Sequence, residues 1–264
     1  MERQNNLSVK IFSRVFSFFV FLFLYAPIVV VILFSFNVSK RNIVFEGFTL
    51  KWYGEMLNNS ALLNSFYNSL IVAAVSTTIA VIVGTLAAIA MHRYKFKGKG
   101  IIDALMYVPI VIPEIVLGIS LLSSFALANV PLGNITLIIA HTTFSMPFVV
   151  FTVKARLSGF DRSLEEAAMD LGANRIKVLL GITIPIITPG IISGAALAFT
   201  LSIDDFVVSF FTTGASSVTF PLKIMEFVRS GIRPDVYALS SIIMLATFIV
   251  VIASQVAAYR KSKE

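Results

Sequence analysis

The 264-residue chain contains no cysteine, which excludes both a disulfide framework and a thiolate metal site. Histidine is almost as scarce. His92 and His141 alone offer no ligand spacing for zinc or haem, so no metal and no cofactor is expected on this chain. Only 13% of the residues are charged, too few to clothe a soluble fold of this length. No G-x-x-x-x-G-K-[ST] phosphate loop occurs, so any work driven by ATP would need the nucleotide to be bound elsewhere. No repeat at a fixed period and no likeness between the two halves is evident, which weakens an inverted-repeat carrier.

Apolar residues are abundant instead: 57% of the chain, 24 of them phenylalanine, with a mean hydropathy of +0.90. They fall in long blocks, as expected when the solvent is a bilayer. At about 20 residues per crossing, six helical spans are predicted at roughly 14 to 36, 66 to 91, 101 to 127, 135 to 153, 186 to 211 and 237 to 258. Pro27, Gly84, Pro113 and Pro147 lie inside them and are expected to kink rather than break the helices. Arg3, Lys10 and Arg14 precede the first apolar block, which is too long for a typical signal core and reads as an uncleaved anchor.

Positive charge alternates between the connecting segments. The N-terminus, the 92–100 and 154–185 loops and the C-terminal tail hold 15 of the 21 Lys and Arg. By the positive-inside rule both termini are expected in the cytoplasm. The formal charge of +7 follows from this bias toward anionic lipid, and no aromatic-interleaved basic patch points to nucleic acid.

One of the basic loops carries a pattern. In FDRSLEEAAMDLGANRIKVLLGITIPIITPG, Ser163 and Glu166 have capping-box spacing, Leu164, Ala168 and Leu171 share a helical face, and Gly172 is placed to end the helix. Asn174 can cap a second short helix whose apolar residues precede Pro185. Helices this brief are unstable alone, so a partner's groove is expected to receive them.

The spacing Glu166-Ala167-Ala168, Gly172, Ile182, Ile184-Pro185 resembles the EAA loop of ABC importer permeases, with Ile184 in place of the usual leucine. Phe48-Thr49-Leu50-Lys51-Trp52-Tyr53, Tyr94, Phe96, Ser202-Ile203-Asp204-Asp205 and Pro221-Leu222-Lys223-Ile224 extend the likeness to the PotC-type permeases of spermidine/putrescine importers. The resemblance implies an all-α, polytopic bacterial inner-membrane protein of the type I (MetI-like) importer fold, with residues 1–264 as one permease domain. It implies that a loop at roughly 158 to 185, through Glu166, Ala167, Ala168, Gly172, Ile182 and Pro185, docks on an ATP-binding subunit present in two copies. It further implies a PotB-like second permease and an extracytoplasmic polyamine-binding protein. ATP and Mg would belong to the ATPase, and no residue of this chain is expected to catalyse covalent chemistry.

Asp204 and Asp205 lie within the fifth predicted span. A charge at a helix centre costs about 2.5 to 3.5 kcal/mol, so two unpartnered aspartates cost roughly 5 to 7. A cation, a proton or a wet path must offset that. Adjacent residues point about 100° apart on a helix. Asp205 shares a small, polar stripe with Gly194, Ala198, Ser202, Ser209 and Thr212, and this stripe is the favoured translocation or subunit interface. Glu114 follows two prolines in VPIVIPE, a predicted irregular helix. Trp52 and Tyr53 lie outside, where aromatic faces suit polycations or form an interfacial belt. The candidate pathway is therefore Asp204, Asp205, Ser202, Glu114, Trp52 and Tyr53. The same architecture with ferric ion, thiamine or a sulfonate as cargo, or a self-sufficient ion-coupled carrier, are the alternatives.

Overall fold

The computed structural model describes residues 2–40, 44–231 and 233–261, with side chains described for 9–40, 44–229, 231 and 233–249. Of the basic residues in the charge count, Arg41 and Lys263 lie outside the described residues, as do the side chains of Arg3, Arg260 and Lys261. Among the described residues twelve α-helices follow one another: α1 (Glu2–Phe34), α2 (Lys51–Asn58), α3 (Ser60–Arg93), α4 (Lys99–Val111), α5 (Glu114–Leu127), α6 (Asn134–Leu157), α7 (Ser163–Asp170), α8 (Arg175–Val178), α9 (Ile184–Asp204), α10 (Val207–Thr212), α11 (Phe220–Ser230) and α12 (Pro234–Lys261). A π-helical turn, Leu179–Thr183, joins α8 to α9. Among the described residues the extended chain contributes one isolated bridge, Asn37 with Phe48.

Among the described residues, four helical stretches are long and apolar enough to cross a membrane: Val9–Phe34, Ser60–Arg93, Asn134–Leu157 and Arg175–Asp204. Pro27 and Pro147 are carried inside continuous helices, as is Gly84. Pro113 is not. The third predicted span is two helices, α4 and α5, bent by 112° where they meet. Pro113 has no amide to donate and disfavours a helical Ile112, and Ile112 is indeed extended at φ −72°, ψ 135°. The fifth span also departs from expectation, since α9 stops at Asp204 and the helix resumes at Val207. The sixth falls on α12, whose described apolar portion is Pro234–Ile249.

Internal packing divides the chain into two units, one comprising the chain up to Leu63 with the chain from Ile224, the other Asn64–Lys223. In the first, α12 packs on both α1 and α2. The loop between α1 and α2 is organised by buried Asn37, whose Nδ2 donates to the Val44 carbonyl at 2.8 Å and whose Oδ1 accepts from Glu46 N at 2.8 Å. Buried Asp235 accepts from Asn59 Nδ2 at 2.7 Å and from Arg233 Nε at 3.2 Å.

The second unit is built on α3, α6 and α9. Ala80, Ala88 and Ile89 of α3 meet Val149, Val150, Val153 and Leu157 of α6 and Ile187 and Ala198 of α9 in one buried cluster. Lipid tails are as apolar as these side chains, so helices associate by close packing rather than by leaving water. Small residues permit it: a Cβ at Gly194 would lie 2.5 Å from Thr152 Oγ1 and 3.1 Å from Val149 Cα. Gly194→Ala is therefore expected to destabilise the folded protein by about 1 to 3 kcal/mol, read as a lowered thermal midpoint in detergent. Gly181→Ala, where a Cβ meets nothing within 4 Å, should leave the midpoint unchanged.

Candidate functional site

The break after α9 is a polar construction. Asp205 is extended, at φ −66°, ψ 124°, so the amides that begin α10 have lost their helical acceptors. Val208 and Ser209 are buried, so water does not replace those acceptors. The Asp205 carboxylate does: Oδ2 accepts from Ser209 N at 2.7 Å and Oδ1 from Val208 N at 3.2 Å. Its side chain is only 5% exposed. His141 of α6 lies beside it, Nε2 3.5 Å from Asp205 Oδ2. The imidazole is hydrogen-bonded to Ser202 Oγ through Nδ1 at 2.7 Å and to Ser209 Oγ through Nε2 at 3.0 Å, and Ser202 Oγ continues to Ser76 Oγ of α3 at 3.2 Å.

Asp204 points elsewhere. It is exposed and lines a cavity of about 340 Å³ together with Glu114, Asp205 and the rings of Phe144, Phe148 and Phe206. The two acids meet different helix ends. Glu114 is the first residue of α5, where the positive end of the helix dipole favours a carboxylate, whereas Asp204 is the last residue of α9, where the negative end opposes one. No hydrogen bond or ion pair engages either among the described residues. The cavity thus has an excess of negative potential at Asp204, faced by aromatic rings, and that combination suits an organic cation.

Trp52 and Tyr53 are in the other unit and are committed to its packing. The Trp52 indole is 4% exposed, and its Nε1 donates to the Asn37 carbonyl at 2.5 Å. Lys51 Nζ sits 5.4 Å from the ring centroid. The Tyr53 hydroxyl bonds Ser35 Oγ at 2.9 Å, and its ring is tilted on Phe36.

In the patterned loop, Gly172 is left-handed at φ 87°, and its N–H and that of Ala173 reach back to the carbonyls of Met169 and Ala168 at 2.9 and 3.0 Å. This is a Schellman ending of α7, as the glycine predicted. Asn174 caps α8 by accepting from Lys177 N at 2.8 Å. The expected capping box is absent. Asp161 Oδ1 takes the Ser163 amide at 2.9 Å, so the helix begins one residue earlier, with Arg162 in the cap position and its carbonyl accepting from Glu166 N. The Glu166 side chain is left exposed, beside exposed Ala167 and half-buried Ala168. Leu164 and Leu171 are 49% and 90% exposed, so the apolar face of α7 is uncovered. Ile182 is half-buried in the π turn, and Pro185 is exposed near the start of α9.

Two groups were not anticipated from the sequence. His141 was weighed only as a metal ligand, although an ionisable residue inside a span is itself a functional signal. Glu165, rather than Glu166, anchors the loop: its carboxylate pairs with Arg93 at the end of α3 and accepts from buried Thr183 of the π turn, while Arg93 Nη2 donates to Thr183 Oγ1 at 2.7 Å. This pairing joins residues far apart in the chain and has no local signature. Among the described residues no cluster of His, Cys, Asp and Glu could hold a metal.

A family profile described as binding-protein-dependent transport system inner membrane component matches residues 80–262. The chain is 44% identical over 244 residues to the spermidine/putrescine transport system permease protein PotC of Escherichia coli (strain K12), covering 92% of each. It is 42% identical over 237 residues to the putrescine transport system permease protein PotI of the same strain, covering 87% of this chain and 84% of that protein. In fold it is similar to a chain from the crystal structure of a bacterial ABC transporter involved in import of the acidic polysaccharide alginate, with a TM-score of 0.69, 16% identity, and coverage of 96% of this chain and 97% of that one.

Arg93→Ala should leave Glu165 unpaired against a buried hydroxyl and destabilise the anchorage of α7 by about 1 to 3 kcal/mol. The expected outcome is faster amide exchange confined to 163–172, measured by hydrogen–deuterium exchange; unchanged exchange there would remove Arg93 as the anchor.

Proposed function

Because the chain belongs to the family of binding-protein-dependent transport system inner membrane components, we propose that it is the permease subunit of an ATP-driven importer and forms half of the path taken by polyamines such as spermidine and putrescine. It does no covalent chemistry. ATP and Mg are bound by a separate ATP-binding subunit, two copies of which dock on the exposed faces of α7 and on the corresponding loop of a second, PotB-like permease. An extracytoplasmic binding protein delivers the cargo. Both termini and the basic loops face the cytoplasm of a bacterial inner membrane, which the 15 of 21 basic residues in those segments support.

The observation that carries the cargo assignment is that Asp204 and Glu114 line one cavity with three phenylalanine rings. A carboxylate at the negative end of a helix gains more from a passing cation than one at the positive end, and each ring can add about 0.5 to 2 kcal/mol. A similar fold serves the import of an acidic polysaccharide in the alginate transporter, so it is the lining, not the architecture, that selects charge. ATP-driven closure of the ATPase dimer acts on α7. Through the Glu165, Arg93 and Thr183 cluster it reaches α3 and the π turn that leads into α9, opening the cavity alternately to the two sides.

In proteoliposomes holding the whole importer, Asp204→Asn should lower spermidine uptake by roughly tenfold or more, equivalent to at least ~1.4 kcal/mol, with assembly and thermal midpoint unchanged. Normal uptake would take Asp204 off the path, and uptake by the isolated chain under an ion gradient would defeat the importer reading. Asp205→Asn, which weakens the cap of α10, should lower uptake together with the thermal midpoint. Gly172→Asp places a side chain at φ 87°, where a non-glycine residue is strained by about 1 to 2 kcal/mol; it should reduce co-purification of the ATPase, and undiminished co-purification would count against docking through α7.

A further inference from the structure

The α9–α10 break is held at three points, and only one of them lies in the break itself. Asp205 caps α10 from within. The other two are the hydroxyls of Ser202, in the last turn of α9, and Ser209, in α10, and both are gripped by one imidazole that comes from α6. His141 is 1% exposed, so its ring cannot exchange these bonds for water. Serine hydroxyls donate or accept equally well, so either tautomer of the ring is satisfied by the pair. Asp204 lies in the chain between the two gripped positions and lines the cavity.

We propose that His141 is a positioning residue for transport: by bonding Ser202 and Ser209 on either side of the break, it fixes the backbone that aims the Asp204 carboxylate into the cavity, without touching the cargo. The proposal rests on the reading that Asp204 lies on the polyamine path. The ring is absent from the cavity lining, as are both serines, and it meets two residues of that lining, Asp205 at 3.5 Å and Phe144 with ring centroids 5.2 Å apart. Ser202 Oγ also bonds Ser76 Oγ of α3, so the clamp ties the end of α9 to both α3 and α6, which pack with it in the core of its unit.

A purely structural histidine would change how much complex assembles and how stable it is. A positioning histidine changes how much cargo each assembled complex moves per ATP. The test uses the complete importer in liposomes with saturating spermidine-loaded binding protein, scoring spermidine uptake and ATP hydrolysis per assembled complex. His141→Ala and Ser209→Ala are expected to lower spermidine moved per ATP by roughly fivefold or more, while ATP hydrolysis stays within about twofold. His141→Gln, which keeps one donor and one acceptor, should recover part of the loss. The His141→Ala/Asp204→Asn double variant should be no worse than Asp204→Asn alone, the non-additivity expected when one residue acts through the other. Unchanged uptake per ATP in His141→Ala overturns the proposal; should that variant fail to assemble, unchanged uptake per ATP in Ser209→Ala overturns it. Fully additive losses in the double variant also overturn it. If Asp204→Asn is impaired while the histidine and serine variants are not, only the positioning role falls. If Asp204→Asn transports normally, the polyamine-path reading falls and the positioning role with it.

Discussion

Backbone amides freed at bilayer depth have to find acceptors inside the protein, and at the end of α9 they find the carboxylate of Asp205. Much of the site depends on that exchange. Without an internal cap the chain could not leave the helix there, since each unsatisfied group costs several kcal/mol in hydrocarbon. Leaving the helix puts Asp204 at the negative end of α9 and turns it toward Glu114. The two adjacent acids therefore differ: one satisfies the protein's own backbone, the other lines the cavity.

The other end of the same helix meets the patterned loop. α9 has 21 residues, about 30 Å at 1.5 Å per residue, and begins directly after the π turn to which Glu165 and Arg93 are bonded. A helix as short as α7 has no stability of its own. It is held by the Glu165–Arg93 pair, which leaves Leu164 and Leu171 exposed.

What could be read from the sequence was local. The Schellman glycine at 172 and the Asn174 cap follow from spacing within a few residues and have the predicted form, and four of the six apolar blocks fall, among the described residues, on helices long enough to cross a membrane. The prolines divided. Pro27 and Pro147 stay inside helices, while Pro113, with Ile112 driven to extended geometry, turns the chain by 112°. The capping box failed because Asp161, two residues upstream, competes for the Ser163 amide. Beyond reach were contacts between distant segments: Arg93 with Glu165, and His141 with Ser202 and Ser209. Helical periodicity placed both aspartates in one continuous span, and nothing in it signals that a carboxylate will serve its own backbone.

The chain has a single tryptophan, and the structure buries it against the Asn37 carbonyl in the unit that excludes the acid-lined cavity. Intrinsic emission from this polypeptide is therefore a private gauge of one region. Blue-shifted and shielded from aqueous quenchers while the α1–α2 loop is intact, it reports the melting of that loop.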